Sequence, residues 1–182
     1  MEATVENRPI WLRRPDLEHI PEANLPSGLA WRYLKGGHDA DAWLALIRAA
    51  ETFGPVEADA FSRAYGANDA DIRERVCFLQ SGDLPVATVG AWYGTGEWEG
   101  WGRIHWLYVL PAFQGAGLGK VLLTFALGRL KELGHSRVCL KTSSGRLPAL
   151  RLYARYGFTE VPAVSLPDAK TGIRSDEAER QG

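Results

Sequence analysis

Residues 103–120 read RIHWLYVLPAFQGAGLGK, an apolar run followed by a glycine-rich corner. The run from Arg103 to Val109 is bulky and β-prone, and Pro111 ends it because proline has no N–H to donate to a sheet. The small residues from Gly115 to Gly119 leave backbone N–H groups uncovered where a helix begins. The stretch therefore predicts a strand, a tight turn and a helix whose first N–H groups bind an anion.

Two common phosphate-binding loops do not fit this corner. A P-loop needs a glycine five places before its Gly-Lys pair and Ser or Thr after it, but this chain has Gln114 and Val121 there. The dinucleotide fingerprint needs a glycine at its sixth place, where this chain has Lys120. Both nucleotide-binding loops are thus excluded by spacing.

A different phosphate loop does match. Gln114, Gly117 and Gly119 follow the strand in the pattern Gln-x-x-Gly-x-Gly, which resembles the acetyl-CoA pyrophosphate loop of the GCN5-related N-acetyltransferases. Residues 149–158, ALRLYARYGF, are similar to that family's Ala-x-x-Leu-Tyr-x-x-x-Gly-Phe signature and lie at its usual distance from the first motif. The resemblance covers roughly residues 29–161. It implies an α/β fold with a mixed, mostly antiparallel central sheet flanked by helices.

The resemblance also implies acetyl-CoA as co-substrate and no metal. In that family the strand before the loop splays from its neighbour, so that groups at Leu107, Tyr108 and Val109 are expected to hold the pantetheine arm and polarise the thioester carbonyl. A bulky side chain at Gly117 or Gly119 is expected to fill the phosphate cradle. The loop residues expected to bind the diphosphate are Gln114, Gly115, Ala116, Gly117, Leu118, Gly119 and Lys120.

Acetyl transfer to an amine needs a neutral nucleophile, a stabilised oxyanion and a proton for the departing thiolate. By resemblance, Tyr153 occupies the thiolate-protonating position, with a core tyrosine as the alternative. The family places its base at one of two strand positions, here Arg103 and His105, and arginine stays protonated. His105, with an ordinary pKa near neutrality, is therefore predicted to take the proton directly or through water. The alternatives are a core histidine, with Glu97, Glu99 or Tyr108 as the base, and a reaction without a side-chain base.

One position departs from the family pattern. Arg146 stands three residues before Ala149, where the family often has asparagine. The sequence favours a solvated turn arginine there, and a contact with a phosphate or an anionic acceptor is the alternative.

Composition and net charge limit the classes of partner expected for this chain. The net charge of −1 and the pI near 6.4 favour neither nucleic acid nor a membrane surface as partner. Cys77 and Cys139, each in an apolar run, are expected to be buried thiols and supply no metal site. With no secretory or membrane-spanning stretch visible, we expect a cytoplasmic protein, monomer or homodimer, that acts on a small-molecule or peptide amine.

Three segments are predicted along the chain. Residues 1–28 hold four prolines between apolar residues and are expected to form an arm packed on the domain, 29–166 form the acetyltransferase domain, and 167–182 form a polar tail. Within the domain the pattern predicts a strand at 29–34, helices from Asp39 or Asp41 to Glu51 and at 57–65, a polar connection through Asn68 and Asp71, a β-hairpin over 75–93, a helix at 117–133, a strand at 137–142, a helix at 147–156 and a last strand from Phe158.

The loop over residues 94–102 alternates glycines with Trp98 and Trp101. It is either a lid that faces the acceptor or a surface loop pinned to the sheet by its tryptophans.

The function implied is acetyl-CoA-dependent N-acetylation. The alternatives are a non-catalytic acyl-CoA-binding module of the same fold, which would bind the cofactor without thiol release, and a structural interaction domain, which would not bind it. The acceptor stays open among small amines, amino acids, antibiotics and peptides.

Overall fold

The computed structural model describes residues 7–162, so the predicted tail and the first residues of the predicted arm lie outside it. The strands are β1 (Pro9–Arg14), β2 (Leu29–Tyr33), β3 (Val76–Ser81), β4 (Leu84–Tyr93), β5 (Gly102–Val109), β6 (Val138–Ser143) and β7 (Thr159–Glu160). The helices are α1 (Ala40–Ala50), α2 (Ala60–Tyr65), α3 (Asp69–Arg75), α4 (Leu118–Glu132) and α5 (Leu147–Arg155).

The seven strands within the described range form one sheet in the order β2-β3-β4-β5-β6-β1-β7. Strands β5 and β6 run parallel because α4 carries the chain back across the sheet between them, and the other neighbours are antiparallel. The predicted mixed, mostly antiparallel sheet flanked by helices is confirmed.

The two faces of the sheet have separate apolar cores. On one face α4 buries an apolar stripe at helical spacing, which includes Leu122, Leu127 and Leu130, all 0% exposed. On the other face α1 buries Trp43 and Ile47 in a cluster that also holds Phe61 of α2 and Phe78 of β3. Strand β5 therefore lies between two packed layers, and its alternate side chains enter opposite cores.

The predicted arm is wrong for residues 9–14, which form β1 inside the sheet between β6 and β7. Ile10 and Leu12 alternate inward and are 4% and 5% exposed. Pro9 is tolerated because it is the first residue of the strand. The sheet of the domain thus begins before the predicted boundary at residue 29.

The predicted polar connection around Asn68 is also wrong, because it contains α3. The Asn68 side chain accepts a hydrogen bond from the Ala70 N–H at 3.1 Å and caps the helix. Acidic residues lie in its first turn and arginines in its last, which suits the helix dipole. Only Ile72 supplies a buried apolar side chain, so the sequence shows no apolar stripe there.

The loop after β4 is pinned to the sheet. Trp98 is 6% exposed, and its ring centroid lies 5.4 Å from that of Trp11 in β1 and 5.1 Å from that of Trp101. This packing supports the pinned surface loop and not the lid.

Cys77 and Cys139 are buried free thiols, as predicted. No helix within residues 7–162 is long and apolar enough to cross a membrane.

Candidate active site

Strands β5 and β6 separate part-way along their length. They pair from Gly102 with Val138 to Ile104 with Leu140, and then both continue unpaired with each other to Val109 and Ser143. A cavity of about 310 Å³ occupies the opening. The splayed strands expected from the sequence are therefore present.

Backbone groups of β5 face this opening. The Leu110 N–H donates to the Val86 carbonyl at 2.9 Å, and Tyr108 pairs with Thr88, so these groups face β4. Because successive residues of a strand point their backbone groups to opposite sides, those of Leu107 and Val109 turn toward the opening. Tyr108 also lines the cavity.

A bulge in β5 lies at the point of separation. Trp106 has φ +51°, in the left-handed region that bulky residues rarely adopt, and the register with β4 shifts between Thr88 and Gly90. The Trp106 ring packs edge-on against Trp43, with centroids 5.0 Å apart. This packing holds the bulge, which sequence reasoning missed because a tryptophan in an apolar run carries no bulge signal.

The glycine-rich corner follows β5 as predicted. Gly117 caps α4 with φ +80°, a left-handed conformation that favours glycine, and a Cβ there would meet no atom within 4 Å. No described residue accepts a hydrogen bond from the N–H of Leu118 or Gly119, so the helix start presents free donors. Gln114 Nε2 donates to the Val109 carbonyl at 3.0 Å and ties the corner to the end of β5.

Gly119 does not face an open cradle. A Cβ there would lie 3.1 Å from Cδ2 of Leu152 in α5, so this glycine lets the two helices approach closely. The expectation that a side chain at Gly119 fills the phosphate cradle is wrong. Its N–H still points out of the first turn of α4.

The second motif forms the other wall of the opening. Ala149, Leu152 and Tyr153 of α5 line the cavity. Gly157, with φ +78°, ends the helix, and the Phe158 N–H then donates to the Tyr153 carbonyl at 3.0 Å.

Tyr153 is 7% exposed and lies in the cavity wall. Burial raises the pKa of Tyr153 to about 12, although the charge of Arg146 lowers it in part. The side chain is therefore a neutral phenol throughout the physiological range and is able to donate a proton.

His105 lines the cavity between the strands and also a second one of about 430 Å³ on the α1 and α2 face. Burial and the charge of Arg103 lower the pKa of His105 to about 3, while a backbone hydrogen bond with Ala64 raises it in part. This desolvation argues against the prediction that His105 titrates near neutrality, and sequence alone does not show it.

The second cavity is walled by residues 55–57 and by α2, with Trp92 and Thr95 at its other side. Arg103, His105 and Trp106 line both cavities. Strand β5 thus separates an opening beside the glycine-rich corner from a second compartment, and the two share these side chains.

Comparison with known proteins identifies this arrangement. Residues 42–158 match the family described as acetyltransferase (GNAT). The chain belongs to this family.

The relatives of this GNAT chain include proteins named mycothiol acetyltransferase. The one from Pseudarthrobacter chlorophenolicus is 33% identical over 77% of this chain and 45% of its own length, and the one from Salinispora tropica is 35% identical over 83% and 52%. The chain spans about half the length of these curated relatives. A GCN5-related N-acetyltransferase from Sphaerobacter thermophilus shares the fold, with a TM-score of 0.68 and 23% identity over 85% of this chain and 50% of that one.

The GNAT position that often holds asparagine carries an ion pair here. Arg146 Nη2 donates to both carboxylate oxygens of Glu51, at 2.5 and 2.6 Å, and to the Tyr108 hydroxyl at 3.2 Å. The Tyr108 hydroxyl also donates to Glu51. Burial alone would raise the pKa of Glu51, but hydrogen bonds from Tyr108, Phe53 and Arg146 lower it.

The expectation of a solvated turn arginine is therefore wrong. Arg146 has 23% of its side chain exposed, lines the opening between β5 and β6, and links α5 to the end of α1. The reserve bases are not supported either. Burial raises the pKa of Tyr108, and Glu97 and Glu99 line neither cavity.

Proposed function

We propose that this GNAT chain moves the acetyl group of acetyl-CoA directly onto an amine, through a tetrahedral intermediate. The observation that carries the proposal is the opening between β5 and β6, which has free helix N–H groups at one end and the neutral phenol of Tyr153 in its wall. A second cavity meets it across Arg103, His105 and Trp106, where an acceptor amine would reach the thioester.

The cofactor is proposed to bind along β5 and the corner. The N–H groups at the start of α4 would hold the diphosphate, since several such bonds and the helix dipole favour an anion there. The glycine at position 117 leaves open space for the phosphates. Backbone groups of Leu107 and Val109 would bind the pantetheine arm and stabilise the oxyanion.

Tyr153 is proposed to protonate the thiolate when the carbon–sulfur bond breaks. A phenol suits this step because it holds its proton at neutral pH and lies in the cavity wall beside the expected thioester. The proton that the amine loses on forming the amide goes to solvent, and the resulting phenolate recovers one from water.

His105 is proposed to orient the amine and not to titrate during the reaction. A neutral imidazole offers one N–H donor and one acceptor nitrogen, so it can accept a hydrogen bond from the attacking amine. A pKa of about 3 makes it a weak base at neutral pH. The amine therefore enters in its neutral form or loses its proton to water.

The acceptor is proposed to be a small-molecule amine, since the second cavity holds about 430 Å³. The two free thiols favour a reducing compartment, and we propose the cytoplasm.

Free thiol released from acetyl-CoA across a panel of amines tests the proposal. We expect release that depends on both the protein and one class of amine. Stabilisation by acetyl-CoA without release from any amine would instead indicate the non-catalytic binding module, and neither effect would indicate a structural domain.

His105→Gln is expected to lower the rate by the same factor at every pH between about 5 and 9, because the histidine does not titrate in that range. With one acceptor, both proteins should show the same pH profile, set by the amine. An ionisation near neutrality present only in the wild type would contradict this assignment and restore His105 as the base.

The lowered pKa of His105 also predicts how the stability of the wild type and of His105→Gln depends on pH. The unfolded chain binds a proton at His105 below its ordinary pKa of 6.5, and the folded protein does so only near 3, so the free energy of unfolding falls as pH falls between these values. Between pH 7 and 5 the free energy of unfolding, measured with urea, should fall by about 1–2 kcal/mol more in the wild type than in His105→Gln. Equal losses would show that His105 is solvated in the folded state.

A further inference from the structure

Arg103 is a partly buried cation without a carboxylate partner among residues 7–162. Its Nε atom is buried and makes no hydrogen bond, and no carboxylate within residues 7–162 forms an ion pair with its guanidinium. Its guanidinium carbon lies 5.1 Å from the ring centroid of Trp11. A cation–π contact leaves the in-plane N–H donors of arginine unused.

This arrangement is unusual for a folded protein. Arg146, which also lines the opening between β5 and β6, is by contrast paired with Glu51. Removing a charge even partly from water without giving it a partner is unfavourable, so such cations are normally paired. Burial also lowers the pKa of Arg103, which reflects the same cost.

The cationic character extends beyond one residue. Lys141 of β6 also lies near this indole, with Nζ 5.9 Å from the Trp11 centroid, and lines the opening. Glu57 is the one acidic residue that lines either cavity within the described part of the chain, and it forms no ion pair with Arg103.

Coenzyme A is not the anion that Arg103 fits. Arg103 lies where β5 and β6 still pair, while the corner follows the opposite end of β5. The six residue steps from Arg103 to Val109 span roughly 20 Å at the usual rise of a strand. The diphosphate at the start of α4 therefore lies well away from the guanidinium.

We infer that the acceptor amine carries an anionic group, a carboxylate or a similar oxyanion, which binds Arg103 in the second cavity. This inference rests on the proposed acetyl transfer and names the class of its acceptor. The free N–H fork of arginine matches a carboxylate in a bidentate arrangement. His105, two residues along the same face of β5, then lies between the anion site and the amine.

Binding of N-acetylated reaction products tests this inference without requiring turnover. The probes are N-acetylated linear ω-amino acids of increasing length and the matched carboxamides, which differ only in charge. We expect the wild type to bind the carboxylate of at least one length about 10- to 100-fold more tightly than its carboxamide. Arg103→Gln should abolish that preference, and Arg103→Lys should keep part of it.

Arg137→Gln is the matched control. Arg137 also stacks on a tryptophan, 4.7 Å from the Trp101 centroid, but it is exposed and lines neither cavity. This variant should keep the wild-type preference. Equal binding of carboxylates and carboxamides by the wild type, or a preference that survives in Arg103→Gln, would overturn the inference.

Kinetics with the free amines separates the two proposals. Preference for carboxylates in binding without thiol release from any amine would leave the anion site standing and remove the acetyl transfer. Thiol release with equal kcat/KM for charged and neutral amines would leave the acetyl transfer standing and remove the anion site.

Urea unfolding of Arg103 variants tests whether the guanidinium has a structural role instead. Because a partly buried charge without a carboxylate partner destabilises the free protein, Arg103→Gln and Arg103→Met are expected to unfold at the wild-type urea midpoint or above it. A lower midpoint in both, with Arg137→Gln unchanged, would assign the guanidinium to packing and overturn the inference.

Discussion

Tyr153→Phe is expected to lower kcat by about 10²–10⁴-fold while leaving the affinity for acetyl-CoA unchanged. The substitution removes only the hydroxyl that would protonate the thiolate, and the ring still packs against Phe158, whose centroid is 5.9 Å away. Single-turnover thiol release and acetyl-CoA titration of the same preparations measure the two quantities separately.

Tyr156→Phe is the matched control for this prediction. Tyr156 is also buried near the end of α5, but its hydroxyl forms a hydrogen bond with the Thr124 hydroxyl at 2.9 Å and lines neither cavity. Its loss should lower stability and not kcat. If Tyr153→Phe keeps the wild-type kcat, Tyr153 is a core residue and the thiolate takes its proton from water.

Gly117→Asp is expected to abolish acetyl-CoA binding without unfolding the protein. Asp and Asn tolerate the left-handed conformation that residue 117 adopts, and both are good helix caps. The carboxylate, however, would place a negative charge in the space proposed for the diphosphate. Acetyl-CoA at 100 times its Kd should stabilise the wild type by about 2.7 kcal/mol, and this effect should vanish in the variant.

Gly117→Asn separates charge from shape, because its side chain has nearly the same size and no charge. It should weaken binding less than Gly117→Asp does. Equal stabilisation of the wild type and Gly117→Asp by acetyl-CoA would move the cofactor away from the start of α4.

The sequence predicted the parts of the fold that depend on local pattern. The strand, the glycine corner and α4 follow from residues that are neighbours in the chain, as do α5 and its terminating Gly157. Strand β1 could not be predicted in the same way, because its partners in β6 lie more than a hundred residues away and its own stretch is bounded by prolines. Helix α3 escaped because its stability comes from a cap and charges more than from an apolar stripe.

The candidate site likewise combines features that local sequence predicts with features that depend on tertiary contacts. The positions of Tyr153 and the corner follow from motifs, whereas the protonation of His105 depends on desolvation that only the packed structure shows. The pairing of Arg146 with Glu51 joins residues from α5 and the end of α1, and the missing partner of Arg103 is visible only when every neighbour is known. Charge pairing is a tertiary property, and sequence spacing does not report it.

Transfer of labelled acetyl groups is the most direct test of the central claim. Acetyl-CoA labelled in its acetyl group is incubated with the protein and an amine that supports thiol release, and both products are quantified. We predict that acetylated amine and free coenzyme A form in equal amounts, and that both fall together in Tyr153→Phe. Free coenzyme A without acetylated amine would indicate thioester hydrolysis and contradict direct transfer to an acceptor.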